Sequence, residues 1–200
     1  MRYLLSAFVL FLAGCSAAAA PETPPEYTEP PPVATDGFIT TVVEAEIPMS
    51  VEEHRAWLLE NPFIYFFEPT ENISPPASTT DLRDDWLKPN SVRRINLEDG
   101  HYVIERVLEN RPELFSYQVW IFTSDVALGV DQIIGEQRFI AIDDDTMKFE
   151  WTYKIKPKGA ITGFFVRQRQ PEVARFMKTG TNAMAAAARE EAANREDLAD

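Results

Sequence analysis

The chain is short of the residues from which most protein chemistry is built. It has one cysteine in 200 residues, so it can form no intramolecular disulfide and no cysteine-rich zinc or iron–sulfur site. It has two histidines, His54 and His101, which is little material for a multi-histidine centre, and no metal or cofactor is expected. Basic residues are scarce too: 19 Lys and Arg stand against 32 Asp and Glu, a formal net charge of -13. A surface that acidic repels phosphate backbones, which argues against a nucleic-acid partner. The apolar run at the start of the chain, Leu4 to Leu12, has nine residues, well under the roughly 20 that a membrane-spanning helix needs. What the chain does have is apolar bulk, 45% of residues with 12% aromatic. That is enough for one folded domain with a sizeable core and no staples.

The ends differ from the middle. Arg2 followed by Leu4–Leu12 has the charge and length of an export signal. The run ends Leu12-Ala13-Gly14-Cys15, which resembles the bacterial lipobox. That resemblance implies cleavage after residue 14 and acylation of Cys15, and two or more acyl chains hold a protein on a membrane. Ser16 stands where an inner-membrane lipoprotein tends to carry Asp. The expected location is therefore the bacterial cell envelope, at the outer membrane facing the periplasm. Residues 15–36 read as the lipidated cysteine and a tether. Pro21, Pro24, Pro25, Pro30, Pro31 and Pro32 with interspersed Glu favour extended polyproline II chain. Residues 191–200 read as a charged tail.

Residues 37–190 read as the folded domain. Phe38–Ile47 is β-branched and partly alternating, a first strand. Ser50 and Glu53 form a capping box that opens a short helix, which Asn61-Pro62 breaks. Phe63–Phe67 is either a second short helix or a loop plugged into the core. The polar, proline-bearing span 68–90 reads as an irregular loop with a helical turn near Asp81–Leu87. Strands follow at Val92–Leu97, His101–Glu109, Leu114–Thr123, Gln132–Ile142 and Thr146–Ile155. In the last, Met147, Phe149, Trp151, Tyr153 and Ile155 alternate with polar residues, as in a half-buried antiparallel strand. After Gly159 a loop or helix lead-in passes Phe164 and Phe165. Pro171 then fits the first turn of a long helix. On it Val173, Phe176, Met177, Gly180, Met184 and Ala187 repeat at spacings of three and four. A curved sheet with one apolar face needs a cover, and this helix is the only element long enough.

The order of elements, with several segments, resembles the START-like (SRPBCC) helix-grip superfamily of polyketide cyclases, plant allergens, abscisic acid receptors and lipid-transfer domains. Ile39–Glu53 is similar to the family's first strand and helix start. Ser91-Val92-Arg93-Arg94-Ile95-Asn96-Leu97-Glu98-Asp99-Gly100 resembles a hairpin of its bacterial members. Val103–Glu109 with Phe115-Ser116-Tyr117 resembles their next strand pair, and Lys178–Met184 their gripping helix. The resemblance implies an α+β helix-grip fold. In it a curved antiparallel sheet of about six or seven strands wraps a long C-terminal helix, with two short helices after the first strand. It also implies an apolar cavity, but no particular reaction.

Glu105 is the sharpest candidate residue. If Val103, Glu105 and Val107 share the concave face, a carboxyl sits among apolar side chains, where its pKa rises. In the abscisic acid receptors the Glu of a similar strand lines the pocket. In the alternative register Tyr102, Ile104 and Leu108 face inward and Glu105 is solvated. Tyr117 is read equally as a ligand-orienting hydroxyl or a core tyrosine. Phe149, Trp151 and Tyr153, with Met147, face the helix, and Phe176, Met177 and Met184 meet them; they either line a cavity or fill it. His54 and His101 read as surface or rim residues without a nucleophile at a readable spacing. The leading expectation is a lipid-anchored binding or carrier protein. Its partners would be a hydrophobic or amphipathic small molecule, such as a lipid, and the membrane through its anchor; no protein partner is legible. The rivals are a cyclase or dehydratase using Glu105 or Tyr117, and a non-catalytic interaction module with a filled core.

Overall fold

A computed structural model describes residues 19–20 and 28–199, with side chains through residue 195. The leader at 1–14 and Cys15 lie outside the described residues. The elements run β1 (Ile39–Ile47), α1 (Val51–Glu60), a 3-10 turn (Phe63–Phe66), β2 (Pro76–Arg83), β3 (Val92–Leu97), β4 (Tyr102–Arg111), β5 (Leu114–Phe122), β6 (Val130–Ala141), β7 (Met147–Pro157) and α2 (Ala160–Ala199). The seven strands form one antiparallel sheet in the order β1-β7-β6-β5-β4-β3-β2. α2 lies across its concave face, so the helix-grip arrangement is present.

Local chemistry accounts for the frame. The alternation in β7 puts Met147, Phe149, Trp151 and Ile155 on the buried side. Register pairs Met147 with Ile47 and Ile155 with Ile39. The capping box forms as read: Ser50 Oγ accepts from the Glu53 amide at 3.2 Å, and Glu53 Oε2 accepts from the Ser50 amide at 2.9 Å. The Phe63–Phe66 turn reconciles both readings of that segment, being a helical turn whose Phe63 plugs the core. On α2, Met177, Thr181, Met184, Ala185 and Ala188 are buried. Gly180 lets the helix approach, because a Cβ there would lie 2.4 Å from the Phe67 ring. Among the described residues, every core residue falls between Ile39 and Ala192, so these elements pack a core together.

Four expectations need correction. The span 68–90 is not only a loop, since it contains β2, an edge strand paired with β3. It has no apolar alternation because both of its faces stay largely exposed. α2 begins at Ala160, not at Pro171, which sits on the exposed side of a continuous helix. There the missing N–H and the crowding at the preceding turn meet solvent rather than the sheet. His54 is not at the rim. It is fully buried against Trp57, Phe139 and Phe149, with ring centroids 5.7, 5.9 and 6.2 Å away. Neither ring nitrogen has a partner, and desolvation, helped by neighbouring Arg55, pulls its pKa down to about 4.

The fourth concerns the tether. Residues 28–34 lie along the convex face of the sheet, and that face holds them by their carbonyls. Trp120 Nε1 donates to Thr28 O at 3.1 Å. Gln118 Nε2 donates to Pro31 O at 3.2 Å, and Gln132 Nε2 to Pro32 O at 3.1 Å. The Ala34 amide returns a bond to Gln132 Oε1 at 3.0 Å. A polyproline-type chain has no internal hydrogen bonds, so its carbonyls are available to such donors. This part of the expected spacer is a strap.

Candidate functional site

Between the sheet and the covering elements lie adjoining chambers that share lining residues. The central one has a volume of about 180 Å³. Its floor is Glu105 and Tyr117 on β4 and β5, its walls include Trp151 and Tyr153 of β7, and Phe67 and Phe176 close it from above. A second chamber of about 170 Å³ lies toward the start of α2 and shares Ile73, Val103, Trp151, Tyr153 and Phe176 with the first. A third, about 290 Å³, lies toward α1 and shares Phe63, Ile64, Arg93, Phe115 and Gln137 with the central one. A cavity near 150 Å³ suffices for one benzene-sized ring, so each of the two inner chambers has room for a ring or a short acyl segment.

The register decides the Glu105 question. Glu105 pairs with Val119 on β5, and Val107 with Tyr117, so Glu105 faces inward at 3% exposure. It is not alone. Arg93 on β3 is its cross-strand partner; its Nε lies 2.7 Å and its Nη2 2.6 Å from the same oxygen, Oε1. The guanidinium also stacks on Trp86, its carbon 3.7 Å from the ring centroid. Burial pushes the Glu105 carboxyl up, and Arg93 pulls it part of the way back.

Tyr117 depends on a glycine. Gly135 stands beside it on β6, and a Cβ there would lie 2.1 Å from the tyrosine ring. The space lets the phenol lean toward β7, where its oxygen accepts from Trp151 Nε1 at 3.1 Å. Its own hydrogen is left to donate. Burial, with Tyr153 and Glu105 nearby, holds this hydroxyl well above the usual tyrosine range. Tyr153 is likewise pushed up by burial and by Glu105. Both phenols are therefore neutral donors at any physiological pH.

Of the residues singled out from sequence, Glu105, Tyr117, Trp151, Tyr153 and Phe176 line the central chamber, and Met177 lines the one at the helix start. Phe149 and Met184 line neither. Both are fully buried, and Phe149 is wedged among Phe63, Phe139 and His54 as filler. Sequence reasoning missed Arg93, although its period-two spacing from Ile95 and Leu97 carried the signal. It also missed Phe67, which stacks on Phe176 at 4.8 Å and meets Trp151 edge-on at 5.5 Å. Neither histidine lines these chambers; His101, just before β4, is not a surface residue either, being 7% exposed with Nδ1 3.2 Å from Thr123 Oγ1. The site can enclose apolar matter and orient one polar group, and among the described residues that line it no nucleophile is hydrogen-bonded to a base.

No family model and no curated protein sequence matches the chain. Solved structures do. An aromatase/cyclase (ZhuI) from Streptomyces sp. R1128 is similar at 15% identity and a TM-score of 0.57, over 76% of this chain and 94% of that one. Ara h 8.0201 gives 14% and 0.53, over 76% and 98%. A point mutant of Thalictrum norcoclaurine synthase, in complex with a transition-state analogue, gives 14% and 0.53, over 78% and 99%. At such identities the likeness is one of fold.

Proposed function

We propose that the protein is a lipid-anchored envelope protein that binds a hydrophobic or amphipathic small molecule between the sheet and α2. The observation that carries this reading is the set of adjoining, aromatic-walled chambers around one neutralised ion pair and one available hydroxyl. Each buried CH₂ of a ligand contributes about 0.8 kcal/mol, so an acyl chain or fused ring system needs no catalytic machinery to be held. Because Arg93 already balances Glu105, the chamber favours a neutral polar group, such as a carbonyl or hydroxyl, at the Tyr117 hydrogen. The neighbours of the same fold include two named as enzymes, a cyclase and a synthase, which keeps catalysis as the second reading; the buried Glu105 and Tyr117 favour it.

Native mass spectrometry of residues 28–200, purified from bacterial periplasm without detergent, tests the first reading. The expected result is a mass excess, lost on denaturation and recovered by solvent extraction. An apo mass that stays apo when fatty alcohols, sterols and aromatic polyketides are offered would overturn it. A Glu105→Gln variant that keeps the ligand but loses turnover of it would move the assignment to an enzyme.

A further inference from the structure

The first turns of α2 are built inside out. Val166 and Gly163 face the sheet, while Ile161, Phe164 and Phe165 are exposed by 79, 58 and 58%. At 3.6 residues per turn these three, with Gln168, fall within an arc of about 100° opposite Val166. Phe164 and Phe165 support each other edge-on at 5.6 Å. Leu128, 71% exposed, joins them from the β5–β6 turn. That turn packs hard on the helix start: a Cβ at Gly129 would lie 2.7 Å from Thr162, and the Lys158 amide donates to Gly129 O at 2.8 Å. Phe165 and Leu128 also line the chamber at the helix start, so this apolar tip is the rim of its opening.

The charge around the tip is the reverse of the rest of the chain. From Trp151 to Pro171 there are five basic residues and no acidic one, in a protein of net charge -13. Lys154 and Lys156 are paired with Glu136 and Asp36. Lys158, Arg167 and Arg169 are exposed and make no ion pair among the described residues. On the helical wheel Arg167 and Arg169 flank the apolar arc on its two sides. The nearest acid on α2, Glu172, is held by Thr70 and Asn72 at 2.8 Å. Asp125 and Asp131 line a depression beside the β5–β6 turn, with Pro31 and Trp120; Leu128 and Lys158 line it too, so they mark the border between the basic tip and the acidic surface.

We infer that this tip docks on an anionic lipid bilayer, with Ile161, Phe164, Phe165 and Leu128 entering the interface and Lys158, Arg167 and Arg169 meeting the headgroups. Apolar residues between cations are what an interfacial helix needs, and the acidic remainder of the surface turns the tip toward the membrane. The chamber mouth would then open onto the lipid. The inference adds to the binding reading and is tested separately from it.

The test is co-sedimentation of residues 28–200 with vesicles of phosphatidylcholine alone and of phosphatidylcholine mixed with phosphatidylglycerol. The expected result is binding to the mixed vesicles, weakened by salt, and at least about tenfold weaker binding to phosphatidylcholine. Phe164→Ser/Phe165→Ser is expected to lower binding at least about tenfold. Arg167→Gln/Arg169→Gln leaves only Lys158 of the three cations and is expected to lower the salt dependence by more than half. Leu59→Ser/Tyr65→Ser, at exposed positions beside the α1 chamber, is the control and should bind like the wild type. All these positions are exposed, and an unchanged circular dichroism spectrum confirms folding. No binding to either vesicle, equal binding by the phenylalanine variant, or a dimer in sedimentation velocity that this variant dissociates would overturn the inference, the last in favour of a second copy. Ligand retention in the mass measurement is a separate readout, so either proposal can fail alone.

Discussion

The two faces of the sheet are made by alternate residues of the same strands, yet they are closed in opposite ways. On β5, Phe115, Tyr117 and Val119 face inward and leave chambers between large rings. Their neighbours Ser116, Gln118 and Trp120 face outward and are just as buried. The concave side is covered by α2, which aromatic side chains hold off the sheet. The convex side is covered by chain, with Gln118 and Gln132 bonded to each other at 2.8 Å and to the strap carbonyls. An apolar cover resting on rings leaves room for a guest. A cover held by directional hydrogen bonds closes tightly.

The contrast can be broken from the concave side first. Arg93→Met leaves the Glu105 carboxyl buried without its cation and should destabilise the domain by about 3–5 kcal/mol. Adding Glu105→Leu should restore most of that; urea midpoints of the single and double variants measure it. His54 gives the next largest effect. It is neutral in the folded core with a pKa near 4 and protonates at about 6.5 when unfolded. The unfolded state therefore binds more protons in this window, and stability should fall as pH drops from about 6.5 to about 4 by roughly 3 kcal/mol. His54→Leu should remove this part of the pH dependence, read as the difference between the two urea-stability profiles. Gly135→Ala drives a methyl into the Tyr117 ring and should cost about 1–3 kcal/mol. It should also disturb Trp151 fluorescence, because the 3.1 Å bond between the two side chains is displaced. The smallest effect belongs to the convex side: Gln132→Ala removes two strap bonds and the bond from Gln118, and should cost about 1–2 kcal/mol. Hydrogen exchange should speed up in residues 28–36, while ligand retention stays unchanged.

The same comparison explains what the sequence made legible. β7 alternates because its outer residues, such as Lys148 and Glu150, stay partly exposed, so its inward face could be read directly. β4 could not be read this way. The strap and a small outer cluster of Val92, Tyr102, Ile104 and Trp120 bury its convex side as well, so both faces are apolar and the direction of Glu105 was left open. β2 was missed because an edge strand rich in Ser and Thr has no buried face to announce it. The start of α2 was left open between loop and helix because Phe164 and Phe165 point outward, against the usual rule of amphipathic helices. Arg93 was passed over because a charge on a strand reads as solvent-facing until its partner Glu105 is placed opposite. The capping box and the stripe on α2 were legible because each depends on residues close in sequence.

The central claim is that the concave chambers are a binding site and not imperfect packing. Val103 lies in the wall common to the central chamber and the one at the helix start. Native mass spectra of the wild-type domain and of Val103→Phe, prepared side by side without detergent, test the claim most directly. The account predicts a ligand-sized mass excess on the wild type and its loss in Val103→Phe, with thermal stability kept. The same excess on both proteins, or none on the wild type after apolar compounds are offered, would contradict it.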